Sequence, residues 1–122
     1  IIENPFGIGL AMSGNASSVD QSIKIGGENQ FLIYGVQMGF LSLITYVMIL
    51  FYSVKISLDV FLESKKEIFK SLAFVAGLTK VGLLVPLFTA NAELYFFVSL
   101  CSWFLVGLVQ SEHTRIRINK II

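Results

Sequence analysis

The sequence predicts an all-α fold, an integral membrane helical bundle with three transmembrane helices and a glycine-rich outer loop. The chain is 55% hydrophobic and only 14% charged, whereas soluble domains contain about 25% charged residues. Its mean hydropathy is +0.78. Three apolar runs qualify as spans by the length of about 20 residues that a helix needs to cross a bilayer, the third near the short end. They cover residues 31–54, 68–89 and 94–110.

Residues 1–30 are predicted to form the outer loop. This region lacks the basic and apolar layout of a secretory signal, and the chain begins with Ile1, so we expect a piece of a longer protein. Its glycines, beginning with Gly7 and Gly9, either supply the backbone freedom of a loop or let backbone N–H groups approach a sugar or pyrophosphate. Gly14 falls at the wrong spacing for a dinucleotide-binding fingerprint.

The junction between this loop and the first apolar run contains the main candidates for chemistry. Asn29 precedes the run and is a residue type that caps helix N-termini, and the helix dipole favours the acidic Glu28 beside it. A functional alternative uses the same two residues. Glu28 at the boundary between water and membrane would accept a proton from a sugar hydroxyl, and Asn29 would orient it.

The first run, residues 31–54, contains no charged residue and predicts the strongest span. Gly35 and Gly39 within it are spaced as a small-residue pair that lets another helix approach closely. Residues 55–67 mix charged and apolar side chains. They predict a cytoplasmic amphipathic linker on the membrane surface.

Lys80 is the most costly residue of the second predicted span, residues 68–89, because a lysine at the bilayer centre costs about 2.5–3.5 kcal/mol. Small residues on its helical stripe indicate that it faces protein or a cavity. The three runs contain no carboxylate to pair with it. Its partner is expected from the missing part of the protein, from backbone carbonyls or from an anionic ligand, and both structural pairing and substrate contact remain open.

The third run, residues 94–110, follows a turn at residues 91–92 that is short enough to require an antiparallel hairpin. Residues 111–122 are predicted to form a cytoplasmic tail. Seven basic residues flank the runs on one side and Lys24 lies on the other, so the positive-inside rule places the leading loop outside. The seven are Lys55, Lys65, Lys66, Lys70, Arg115, Arg117 and Lys120.

Composition also excludes several classes of function. A net charge of +1 gives no clustered basic surface for nucleic acid. The single cysteine, Cys101, cannot form an intrachain disulfide or a cysteine-based metal cluster, and the single histidine, His113, has no neighbouring ligand types. We therefore expect no metal, no cofactor and no nucleic-acid partner.

The outer loop and the start of the first span resemble a known family. The matching residues are Asn4-Pro5-Phe6-Gly7-Ile8-Gly9-Leu10, a Ser- and Asn-rich stretch, then Glu28-Asn29-Gln30-Phe31-Leu32 with Gly35 and Gly39. They resemble the last outer loop and following helices of the Wzy-type O-antigen and capsule repeat-unit polymerases, which are related to the O-antigen ligases. The resemblance covers residues 4–39 by motif and the remainder by hydropathy.

This resemblance implies a multi-pass glycosyltransferase of the bacterial cytoplasmic membrane, in a chain far longer than 122 residues. Family members join undecaprenyl-diphosphate-linked oligosaccharide repeat units at the outer face, without a nucleotide sugar or a metal. The other implied partners are the lipid bilayer and the remaining helices of the full-length protein. The expected catalytic residues are Glu28 and Asn29, and the expected substrate-binding residues are Lys24, Asn15, Gly7, Gly9 and Lys80.

Position 28 departs from the related ligases, in which a His-Asn pair stands where this chain has Glu28 and Asn29. The departure favours a polymerase over a ligase. The outer-loop arginines that hold the pyrophosphate in the family have no counterpart here and are expected upstream. Two other classes stay open: a transporter or flippase in which Lys80 lines a substrate path, and a non-catalytic membrane assembly subunit.

Overall fold

Three α-helices make up nearly all of the chain that the computed structural model describes, which is residues 6–7, 29–89 and 95–121. Helix α1 is Gln30–Glu63, α2 is Glu67–Thr89 and α3 is Phe96–Ile121. No strand occurs among the described residues, so the predicted all-α class is confirmed. The predicted turn at residues 91–92 lies outside the described residues.

Two of the helices, α1 and α2, are long and apolar enough to cross a membrane. Only 22% of the most apolar stretch of each is buried, and large side chains such as Phe51 and Phe74 face outward. The apolar part of α3 extends only from Phe96 to Val109, which is short of the about 20 residues that a span needs. Length and composition alone therefore identify two candidate spans among the described residues.

Asn29 caps the start of α1. Its side-chain Oδ1 accepts hydrogen bonds from the backbone N–H groups of Phe31, at 3.0 Å, and Leu32, at 3.2 Å. These are two of the N–H groups that the first turn of a helix leaves without a partner in the helix. The predicted capping role of Asn29 is confirmed.

Helix α1 reverses direction at Gly39. This residue has φ 84° and ψ −179°, a backbone conformation that is essentially restricted to glycine. The ring centroids of Phe31 and Tyr46 are 5.6 Å apart, whereas the Cα atoms of two residues so separated in a straight helix would be about 22 Å apart. Helix α1 therefore consists of a short segment, residues 30–38, folded back against a long segment, residues 40–63.

The reversal corrects two predictions for the first apolar run. Residues 31–54 form two helical segments instead of one continuous span, because the helix is interrupted at Gly39. For the same reason Gly35 and Gly39 do not present a joint helical face to another helix. The long segment continues to Glu63 and ends at Ser64, so most of the predicted linker extends the helix that precedes it.

The long segment of α1 runs antiparallel to α2 and parallel to α3. Ser57 packs against Gly77, where an added Cβ would lie 3.2 Å from the serine Cβ, and the rings of Phe61 and Phe74 are 6.0 Å apart. Positions later in α1 thus face positions earlier in α2. The described parts of the three helices form an up-down-up bundle.

The core of this bundle consists of two apolar clusters, one nearer each end. The inner cluster, nearer the end of the bundle where Glu63 lies, contains Ile56, Val60, Ala73, Ala76 and Val109. The outer cluster, nearer the opposite end, where Thr89 lies, contains Tyr46, Leu50 and Leu87, with Phe31, Tyr34, Leu83 and Trp103 packed against them. Along α2, Lys80 lies between the two clusters.

Replacement of Gly39 by alanine is expected to destabilise the protein, because a side chain is strained at φ 84° and such strain costs about 1–3 kcal/mol. Gly82→Ala is the matched control, since Gly82 lies in α2 and an added Cβ meets nothing within 4 Å. That change is expected to be neutral or to stabilise by up to about 1 kcal/mol. Denaturant unfolding in detergent micelles measures both, and equal stability of the two variants would mean that α1 is straight.

Candidate functional site

The outer end of the bundle contains the described part of the predicted site. Gly7 and Asn29 lie there, and Lys80 lies deeper, between α2 and α3. The other predicted site residues fall outside the residues that the structure describes. They are Gly9, Asn15, Lys24 and Glu28.

Gly7 contacts the backbone of α1 at its reversal. A Cβ at Gly7 would clash with the carbonyl group of Gln37 and would lie 2.7 Å from the nitrogen of Gly39. Gly7 also has φ 85°, which a residue with a side chain rarely adopts. Two requirements, space and conformation, thus explain glycine at this position, and the contact joins Gly7 to the point where α1 reverses.

Aromatic rings hold the short segment of α1 against the bundle. The ring of Phe31 lies 4.7 Å from that of Phe88 near the end of α2, and the ring of Tyr34 lies 4.6 Å from that of Tyr46. Tyr34 also lines a small cavity, of about 400 Å³, that reaches along the long segment to Ile49. Aromatic pairs contribute about 0.5–1.5 kcal/mol each beyond their buried area, so these contacts stabilise the folded-back segment.

Lys80 is almost fully buried, with 1% of its surface exposed. Its Nζ donates a hydrogen bond to Ser102 Oγ at 3.2 Å and lies 3.3 Å from the centroid of the Trp103 ring. A cation over an aromatic face gains about 2 kcal/mol or more when both are desolvated. The prediction that Lys80 faces protein and not lipid is confirmed.

Trp103 and Ser102 are absent from the predicted partners of Lys80, although the sequence contains a signal for them. A hairpin with its turn at residues 91–92 pairs positions that lie equally far before and after the turn. Trp103 lies as far after this turn as Lys80 lies before it. An aromatic ring, like a carbonyl or a carboxylate, can therefore be the partner of a lysine within a predicted span.

A second polar cluster joins α1 to α3 at the inner end of the bundle. Glu112 is 3% exposed and accepts hydrogen bonds from the hydroxyl of Ser64, at 3.3 Å, and from Arg115. His113 Nε2 lies 3.5 Å from a carboxylate oxygen of Asp59. These contacts explain why α3 continues as a helix through the residues predicted to form a tail.

The exposed end of this polar cluster is an ion pair, in which Lys120 Nζ lies 2.8 Å from Glu63 Oε2. The hydrogen bond from Lys120 is the largest cause that lowers the pKa of the Glu63 carboxyl below its ordinary value of 4.5. The pair connects the last turn of α1 to the last turn of α3. Its role is structural.

The described residues contain no group of three His, Cys, Asp or Glu side chains positioned to hold a metal ion. Comparisons of the chain with protein-family models, with curated proteins and with solved structures give no match. The contacts at the outer end and around Lys80 are therefore the basis for a functional proposal.

A double-mutant cycle is expected to detect the contact between Lys80 and Trp103. Lys80→Met and Trp103→Leu, alone and together, should give a coupling free energy of about 2 kcal/mol in unfolding experiments. The control cycle pairs Lys80→Met with a substitution at the neighbouring residue Phe104, whose side chain is exposed. This cycle should give a coupling free energy of at most about 0.5 kcal/mol. Similar coupling in the two cycles would contradict the contact.

Lys120→Met is expected to lower the free energy of unfolding more at pH 7 than at pH 3. Because the folded-state pKa of Glu63 is lowered, its contribution to stability is complete above the unfolded value of 4.5 and disappears as the pH falls through the folded value. Lys65→Met, at an exposed inner residue, is the control. A loss of the same size at both pH values would rule out the carboxylate as the partner.

Proposed function

We propose that the chain is part of a membrane polymerase that joins undecaprenyl-diphosphate-linked oligosaccharide repeat units into O-antigen or capsular polysaccharide. The contact of Gly7 with Gln37 and Gly39 is the observation that supports the proposal most directly. It brings together the two parts of the sequence motif on which the family resemblance rests. These parts lie far apart in the chain, and they meet where α1 reverses, at the opposite end of the short segment from Asn29.

The proposed membrane topology agrees with this location. With α3 as a third span, the bundle crosses the membrane three times, and the basic residues of the 55–70 and 115–120 regions lie at one end. The positive-inside rule assigns that end to the cytoplasm of a bacterial cell. Gly7 and Asn29 then lie at the outer face of the cytoplasmic membrane, where a lipid-linked repeat unit is available.

In the proposed reaction, a sugar hydroxyl of the incoming unit attacks the anomeric carbon of the growing chain. A new carbon–oxygen bond forms, the bond from that carbon to the diphosphate breaks, and undecaprenyl diphosphate leaves with the bonding electrons. Glu28 takes the hydroxyl proton as general base. Lys24 stabilises the diphosphate charge, together with basic groups elsewhere in the protein.

The geometry refines the roles of two predicted residues. Asn29 Oδ1 is already occupied by the N–H groups of Phe31 and Leu32, so Asn29 acts as a positioning residue that holds the backbone next to Glu28. Lys80 is buried against Trp103. Burial favours structural pairing over contact with substrate.

A second candidate function, a polysaccharide transporter or flippase, is favoured by the interruption of α1 at Gly39 and by the buried charge of Lys80. Transporters use discontinuous helices and buried charges near the middle of the membrane to form substrate sites. In this alternative Lys80 lines the substrate path and the glycine-rich segment acts as a gate.

Surface glycan, taken from cells whose glycan synthesis depends on this protein, distinguishes the polymerase from the transporter. Glu28→Ala should reduce the ladder of chain lengths on a gel to single repeat units at normal protein level, whereas Glu67→Ala, at the inner end, should leave it intact. Asn29→Ala should shorten the ladder, and Asn29→Asp should restore it because aspartate also caps helices.

Lys80→Met completes this test. A polymerase with a structural Lys80 keeps its ladder, whereas a transporter that uses Lys80 loses both long chains and single units from the surface. A full ladder from Glu28→Ala would exclude the proposed base, and loss of all surface glycan from Lys80→Met at normal protein level would favour the transporter.

A further inference from the structure

A groove with a volume of about 1040 Å³ runs between the long segment of α1 and the middle of α3. Its walls are mainly apolar. On the α1 side they include Met48, Phe51 and Ile56, and on the α3 side Trp103 and Val106. This surface is distinct from the Gly7 contact at the outer end and from the inner polar cluster.

The inner end of the groove is polar. Ile56 and Val109 belong to the same buried cluster, so their chain neighbours Lys55 and Gln110 lie at the same level, and both line the groove. Lys55 is exposed and has no acidic partner among the described residues. Gln110 Oε1 is buried without a hydrogen-bond partner there, so one end of the groove offers a cation and an amide.

The apolar part of the groove has unfilled space beside α3. Gly107 lines it, and a Cβ added at Gly107 meets no atom within 4 Å. The groove thus has the features of a site for an amphiphile: a long apolar channel, open space along one wall, and positive charge at one end.

We propose that this groove binds one acyl chain of an anionic phospholipid of the inner leaflet, with the lipid phosphate at Lys55 and Gln110. The occupant follows from charge complementarity, because Lys55 at the positive end of the groove has no acidic partner among the described residues and anionic lipids are concentrated in the cytoplasmic leaflet. The amide of Gln110 offers donors to the phosphate and an acceptor to a headgroup hydroxyl. The inference rests on the proposed membrane topology but not on the proposed polymerase activity.

Trp103 allows a direct test, because it is the single tryptophan of the chain and lines the groove. The protein is reconstituted into vesicles that contain equal fractions of bromine-labelled acyl chains on phosphatidylglycerol or on phosphatidylcholine, and quenching of Trp103 fluorescence is measured. We expect an apparent affinity about fivefold higher for phosphatidylglycerol, which matches one lysine contact to an anionic lipid. Lys55→Met should remove this preference, and Lys65→Met should keep it.

The shape of the groove is tested with a pair of glycine variants. Gly107→Leu should fill the groove and reduce quenching by both lipids, whereas Gly82→Leu, at an exposed position of α2 that also has open space, should leave it unchanged. Helix content by circular dichroism checks that both variants fold.

Equal quenching by the two lipids in the unmodified protein would overturn the proposal, as would equal behaviour of Gly107→Leu and Gly82→Leu. Absence of quenching by either lipid would also overturn it, since a protein helix would then cover the groove. The fluorescence signal does not depend on glycan synthesis, so its failure and the failure of the proposed polymerase activity are separate results.

Discussion

The burial of one ammonium group constrains the packing of all three helices. Lys80 lies between the two apolar clusters with almost none of its surface exposed, and a cation without partners in such a place is strongly destabilising. The Trp103 ring and the Ser102 hydroxyl both contact Nζ, and these contacts favour the observed register between α2 and α3. Because Trp103 also packs against the Tyr46 and Leu50 cluster, the same ring connects the lysine to α1.

Gly39 constrains the outer end through the backbone and not through a side chain. An interrupted helix is tolerated within a membrane only where its polar backbone groups are buried in protein or face water. Gly39 is buried, and Gly7 packs directly on the interruption. The reversal thus depends on a second, distant part of the chain, because Gly7 covers the point at which α1 is interrupted.

The sequence predicts those features that depend on local patterns. The apolar runs specify helices, and Asn29 specifies where the first begins. It does not predict the reversal, because a glycine within an apolar run is compatible with a continuous helix, and the contacts that select the bent form come from Gly7 and Phe88. Most of the predicted linker and the predicted tail are helical for a similar reason: hydropathy falls there, but the Glu63–Lys120 ion pair and the contact between Asp59 and His113 join α1 to α3 beyond the apolar stretch. Four predicted site residues lie outside the described part of the chain and stay predictions.

The two ends of the bundle are held together by different forces, and this difference bears on the proposed chemistry. Buried Glu112, the contact between Asp59 and His113, and the Glu63–Lys120 ion pair join α1 to α3 directly at the inner end. The short segment of α1 is held mainly by ring contacts, and one of those rings, Phe88, is 61% exposed. Under the proposed function, a sugar-containing ligand at the outer face would meet aromatic surface and glycine backbone, whereas the register of the three long helices is set elsewhere, by Lys80 and the inner end. In the proposed polymerase, binding at the predicted Glu28 junction would therefore act first on the short segment of α1, while Lys80 and the inner end keep the register of the long helices.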